Sequence, residues 1–128
     1  MSDKFLAEII SPDRSLIKID IVEAIIPSYE GEMGILKDHI QLITFLRPGL
    51  IKLIGDVEKK FFVEEGTVEF ANNQLLILTS SAKDISDIKK NSLDILIDEA
   101  EKRFKSKEIT DKERYLISHK IDTLRNIN

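Results

Sequence analysis

No cysteine occurs in this 128-residue chain. That excludes disulfides, thiol catalysis and thiolate metal sites, and it fits a reducing cytoplasm. No apolar run approaches the roughly 20 residues a helix needs to span a bilayer. Met1-Ser2-Asp3-Lys4 leads straight into Phe5-Leu6-Ala7-Glu8-Ile9-Ile10 with no signal-like segment, so direct membrane insertion is not expected and any association should run through partners. A basic excess is missing as well: the formal net charge is −4, whereas phosphate binding wants a basic surface, which argues against nucleic acid. What is plentiful is apolar and charged side chain, 42% and 33%, the balance of a folded chain and not a disordered one. The length suits one good core with an appendage.

The organisation changes near residue 83. All five glycines and all three prolines precede it. From Phe5 to Ser81, short apolar runs alternate with turn signals at Pro12-Asp13, Gly31, Pro48-Gly49, Gly55-Asp56, Gly66 and Asn72-Asn73, a spacing that predicts an antiparallel β-sandwich or barrel. Gly55-Asp56 and Asn72-Asn73 read as tight hairpin turns. Ile17, Ile19 and Ile21 alternate, as do Val68 and Phe70, while Leu75 to Leu78 reads as buried on both faces. After Ser81 the apolar period lengthens to about 3.6, with Ile85, Ile88, Leu93, Leu96, Ile97, Ala100 and Phe104 on one stripe. A second helix is expected from Thr110, which has capping-box spacing to Glu113, through Leu116, Ile117, Ile121 and Leu124. The short link from Lys105 to Ile109 makes the pair an antiparallel hairpin, which must lean on the sandwich or on a partner. The expected architecture is therefore a β plus α chain, with a sandwich over residues 1–82 and a two-helix hairpin over 83–128.

A search for chemistry finds little. The chain has no phosphate loop of Walker or Rossmann spacing, no nucleophile elbow and no helical His pair, and its histidines, His39 and His119, lie in different segments. Glu30, Glu32, Asp38 and His39 include ordinary metal ligands, but their spacing matches no known ligand pattern, and an exposed polar turn is the simpler reading. Lys59-Lys60-Phe61-Phe62 mixes basic and aromatic residues as single-strand binders do. A half-buried strand with lysines toward water explains it more cheaply. Neither a catalytic constellation nor a cofactor or metal site is expected.

The most informative stretch is Glu30-Gly31-Glu32-Met33-Gly34-Ile35-Leu36, followed by His39 and, after a short apolar strand, Leu46-Arg47-Pro48-Gly49. Two glycines bracketing Glu-Met give a backbone open to turn conformations and an acidic tip held outward, as in a docking loop. This order resembles the ε subunit of F-type ATP synthases, called δ in mitochondria, and the resemblance covers nearly the whole chain. It implies a non-catalytic rotor subunit at the foot of the central stalk, gripping γ and resting on the polar loops of the c-ring. On that reading Glu30, Gly31, Glu32, Met33 and Gly34 meet the c-ring, with Glu32 the main acidic contact, and His39 faces γ. The location implied is peripheral, on the cytoplasmic face of a bacterial plasma membrane. The family carries Pro-Gly or a similar small pair before this His, where the present chain has Lys37-Asp38.

In some bacterial members the helical hairpin extends and blocks ATP hydrolysis, and in some it folds around ATP. The ATP-binding pattern is not matched: counting from Ile85 its Asp falls on Ser86 and its Arg-Ala on Lys89-Lys90, and counting from Ile88 they fall on Lys89 and Ser92-Leu93. ATP sensing is therefore not expected. Lys102, Arg103, Lys105, Lys107 and Arg114, along with Lys112, Lys120 and Arg125, have two readings: a solvated helix face with i to i+4 pairs, or contacts with an acidic segment of the catalytic β subunit in the α/β head. A regulatory module whose hairpin controls an enzyme is the alternative to the rotor clamp.

Overall fold

The computed structural model describes residues 3–127. The strands are β1 (Phe5–Ile10), β2 (Ser15–Ile21), β3 (Glu23–Ser28), β4 (Gly31–Leu36), β5 (Leu42–Leu46), β6 (Gly49–Ile54), β7 (Glu58–Val63), β8 (Gly66–Ala71), β9 (Gln74–Leu78) and β10 (Lys83–Asp84). After a short 3-10 turn at Ile85–Asp87 come helices α1 (Lys90–Phe104) and α2 (Asp111–Arg125). The strands form two layers, β2-β1-β9-β8-β5 and β10-β7-β6-β3-β4, joined where the end of β3 meets the end of β5 at Ser28 and Leu46. Pairing is antiparallel throughout except that β1 lies parallel to β9.

Period-two alternation sends one side of each strand into the sandwich. Phe5, Ala7 and Ile9 of β1, Val68 and Phe70 of β8, and Leu75 and Ile77 of β9 meet Ile51 and Leu53 of β6 and Phe61 and Val63 of β7 in one core. Phe5 and Phe70 pack edge to face at 5.5 Å. Each of the larger side chains contributes roughly 1.5–3 kcal/mol by leaving water, so this core carries the sandwich. Thr79, buried after β9, donates to the Glu65 carbonyl at 2.5 Å, and Ser81 Oγ accepts from the Glu64 amide. The small polar run thus ties the end of the sandwich to the β7–β8 turn.

The outer side of β6 and β7 carries Leu50 and Phe62, and here the helices dock. Phe62, Leu93, Leu124 and Ile127 form a second core, with Ile85, Ile88, Leu96 and Ile97 packed around it. The α2 start follows its sequence cue: the Thr110 hydroxyl accepts from the Glu113 amide and Glu113 reaches back to the Thr110 amide. Arg103 pairs with Glu113 at 2.8 Å, Arg125 with Glu101, and Arg114 donates to the Phe104 carbonyl at 3.0 Å, lashing the two helices together.

Several local expectations need correction. The apolar stripe does not begin as α-helix at Ile85. Lys83 and Asp84 still pair with β7, Ile85 starts a 3-10 turn capped by Asp84, and α1 opens only at Lys90. Leu75 to Leu78 is not covered on both sides. Leu78 is exposed because, among the described residues, no layer covers that sheet face. Asn72 and Asn73 do form a two-residue turn, both with positive φ, whereas the Gly55 connection spans three residues between β6 and β7.

Candidate docking surfaces

The segment expected to be a loop at Glu30–Gly34 is a hairpin tip. Tyr29 and Glu30 alone form the turn, and Gly31 to Leu36 pair along the whole of β3. Gly31 has φ +124, which L side chains rarely adopt, and Ser28 Oγ donates to its carbonyl at 2.7 Å. Gly34 is ordinary strand paired with Ile25, where a Cβ would make only a normal contact with the Glu23 carboxylate, so it shapes no turn. Glu30 and Glu32 are exposed at the tip and Met33 packs partly against the core.

His39 lies at the other end of β4. From Gly31 to Leu36 the strand runs about 17 Å at ~3.3 Å per residue, so tip and histidine are separate places, and Glu30, Glu32, Asp38 and His39 do not converge on one point. His39 is half-buried, its ring edge-on to Phe70 at 6.0 Å, and Nδ1 donates to the Ile40 carbonyl at 2.8 Å. The carbonyl can only accept, which fixes the tautomer.

Between these two places lies a surface the residue types alone did not reveal. Strand β5 runs back from His39 toward the tip, and its outward residues are apolar. Ile40, Ile43, Phe45 and, on β9, Leu78 are 78%, 74%, 58% and 45% exposed. The register sets Phe45 beside Thr67, Thr67 beside Leu78, and Leu78 beside Ile10 in one row across the sheet. At the tip this row opens into a groove of about 860 Å³ whose walls include Ile10, Tyr29, Phe45, Leu78 and Lys112. An exposed apolar surface of this kind is typical of protein-docking sites. Its sequence signal was the pair Ile43 and Phe45 in alternation with Leu42, Thr44 and Leu46. Which side faced solvent required the topology.

Of the basic residues on the hairpin, Lys102 pairs with Asp98 at 3.2 Å, Arg103 with Glu113, and Arg114 lies over the Phe104 ring at 5.3 Å. Lys105 and Lys107 sit exposed at the bend with no ion pair among the described residues. Helix α2 meets the sandwich through Lys120, which pairs with Glu64 at 2.5 Å, and through Tyr115, which stacks on Tyr29. Partial burial holds His119 below the usual histidine range. The Arg47 guanidinium adds to this and Asp122 opposes it. No helix among the described residues is long and apolar enough to cross a membrane.

A sandwich with an exposed apolar patch on one sheet face, and a helical hairpin over the other, is an architecture suited to docking. The beta-sandwich domain model of the ATP synthase delta/epsilon chain matches residues 4–85. The ATP synthase epsilon chain of Pelagibacter ubique is 47% identical, with 100% of both chains covered, and that of Dichelobacter nodosus is 34% identical over 83% of this chain and 76% of its own. The chain belongs to the ATP synthase delta/epsilon family. The fold recurs in a chain of the Euglena gracilis mitochondrial ATP synthase OSCP/F1/c-ring structure, with TM-score 0.77 and 18% identity over 98% of this chain and 79% of that one. It recurs again in the central stalk and c-ring structure of the Tetrahymena thermophila enzyme, with TM-score 0.63 and 16% identity over 95% and 92%.

Proposed function

We propose that this chain is a non-catalytic rotor subunit that clamps γ to the c-ring, so that torque from ion flow reaches the catalytic sites of the ATP synthase with little slippage. The observation that carries the reading is the exposed apolar patch of Ile43, Phe45 and Leu78 on an otherwise finished sandwich. It needs a cover, and γ supplies one beside His39. The acidic tip at Glu30 and Glu32, at the far end of β4, meets the polar loops of the c-ring. A clamp of this kind needs a rigid body and complementary surfaces, and the continuous sandwich core supplies the rigidity. The chain works peripherally, on the cytoplasmic face of a bacterial plasma membrane. The division of labour falls near residue 83, with the sandwich as clamp and the hairpin as an added regulatory part.

The test is co-purification with γ from the same genome, by size exclusion with mass detection. A one-to-one complex is expected for the wild type. Phe45→Glu with His39→Asp should abolish it, and Glu32→Lys should leave it intact while weakening retention on membranes bearing the c-ring. Absence of any complex with γ or with an assembled head overturns the clamp reading.

Unpaired Lys105 and Lys107 support the second reading, a hairpin that restrains hydrolysis by touching an acidic segment of β. Under it, Lys105→Glu with Lys107→Glu raises ATP hydrolysis and leaves coupling unchanged. Under the clamp reading alone, neither changes.

A further inference from the structure

The turn at Tyr29 and Glu30 has an anchor outside its own sheet. Within the sandwich the Tyr29 amide donates to the Phe45 carbonyl at 3.3 Å, and the Tyr29 carbonyl accepts from Tyr115 Oη at 3.2 Å. The two tyrosine rings lie nearly parallel, 13° apart with centroids at 6.3 Å. One helical turn further along α2, His119 sets its ring edge-on to Tyr115 at 4.6 Å. Three rings therefore run in file from the tip to the helix. The apolar anchor of α2 is elsewhere, at Leu124 with Ile127 just beyond the helix, against Phe62, and the Lys120 to Glu64 pair adds a tie between them. The N-terminal half of α2 thus leans on the tip, while its C-terminal half is seated on β6 and β7.

We propose that this contact links the β3–β4 tip and the helical hairpin thermodynamically: a docked α2 holds the tip in place, and a tip moved by whatever grips it loosens the hairpin. The part that concerns the c-ring rests on the docking reading above. The linkage itself does not. If Tyr29 sits differently when the tip is engaged, the hydrogen bond and ring stack change with it, and the effect is reciprocal by necessity. Both rings are partly exposed, so the linkage is modest, several-fold in the docking equilibrium. The ties between α1 and α2 through Arg103, Arg125 and Arg114 carry any loosening of α2 to α1, which does not touch the tip.

Amide hydrogen exchange on the full isolated chain tests this, with Tyr29→Ala, Tyr115→Ala and Tyr115→Phe set against the wild type. Tyr29→Ala is expected to speed exchange in α1 and α2 about 3- to 10-fold, and Tyr115→Ala to speed exchange at Glu30 and Glu32 by a similar factor. Tyr115→Phe, which keeps the ring and loses the hydroxyl, should fall between. Unchanged exchange in the core strands β1 and β9 confirms that the variants fold. If each variant alters exchange only in its own element, the linkage is overturned. The experiment contains no c-ring, so such a failure leaves the docking reading standing. A failure of Glu32→Lys to weaken c-ring retention would in turn leave the linkage standing.

Discussion

Asp38 and Asn73, thirty-five positions apart, hold each other through two hydrogen bonds. The Asp38 amide donates to Asn73 Oδ1 at 2.7 Å, and Asn73 Nδ2 donates to Asp38 Oδ1 at 2.9 Å. Both have left-handed backbone, φ 66 and 56, a conformation that costs most residues ~1 kcal/mol or more. Asp38 stands directly before His39. An Asp is less at ease there than glycine, and the clasp with Asn73 offsets the difference. The strain at Asp38 is thereby compensated from a turn on another hairpin.

Removing the clasp should therefore destabilise by an amount that depends on what replaces Asn73. Asn73→Gly keeps the backbone conformation and loses the two bonds, at a cost of about 1 kcal/mol. Asn73→Ala also places a Cβ residue at positive φ, for about 2 kcal/mol in all. Urea denaturation of the two variants checks the order. Equal losses would mean that the bonds, and not the turn, set the cost.

Phe45→Glu separates stability from binding. The ring is more than half exposed, and surface changes of this kind stay within about 0.5 kcal/mol. An apolar anchor at the centre of an interface costs ~2 kcal/mol or more when lost, a factor of about 30 in affinity. The variant should unfold at the wild-type urea concentration and fail to bind γ in the same preparation.

Leu124 is fully buried, but in the second core rather than the first. Leu124→Ala should cost the docked hairpin about 2–5 kcal/mol and leave the sandwich folded, because none of the sandwich core touches it. Limited proteolysis is expected to cut between residues 83 and 90 in this variant while the first 82 residues resist. Ile77→Ala, in the first core, should instead open the whole chain to protease.

These contrasts show what the residue pattern could and could not reveal. The sandwich-then-hairpin order, the Asn72-Asn73 turn and the Thr110 cap were legible because each rests on local chemistry: period, backbone permissiveness, a hydroxyl three residues from a carboxylate. The exposed side of β5 was not. Alternation tells which residues share a face, and only the placement of the helices on β6 and β7 decides that Ile43 and Phe45 face water while Phe62 does not. Gly34 misled for a related reason, since a glycine in a strand and a glycine in a turn look alike until pairing with Ile25 is known. The Tyr29 to Tyr115 contact spans eighty-six positions, and no local rule reaches that far.

His119 makes hairpin docking depend on pH. Its charge is disfavoured in the docked state by partial burial and by Arg47, with Asp122 opposing and the Tyr115 ring against it. Its pKa there lies below the ordinary value of 6.5. When the hairpin lifts away, His119 escapes both the burial and Arg47, so the undocked state binds the proton more readily. The stabilisation is present in full above pH 6.5 and declines as pH falls through the lower docked value. Protease sensitivity of the 83–90 segment should therefore rise as pH falls from 6.5 toward the docked value and level off below it. His119→Gln, which has no proton to gain, should flatten that part of the profile, and an unchanged profile would place the titration elsewhere, on Glu113, whose pairing with Arg103 also weakens in acid.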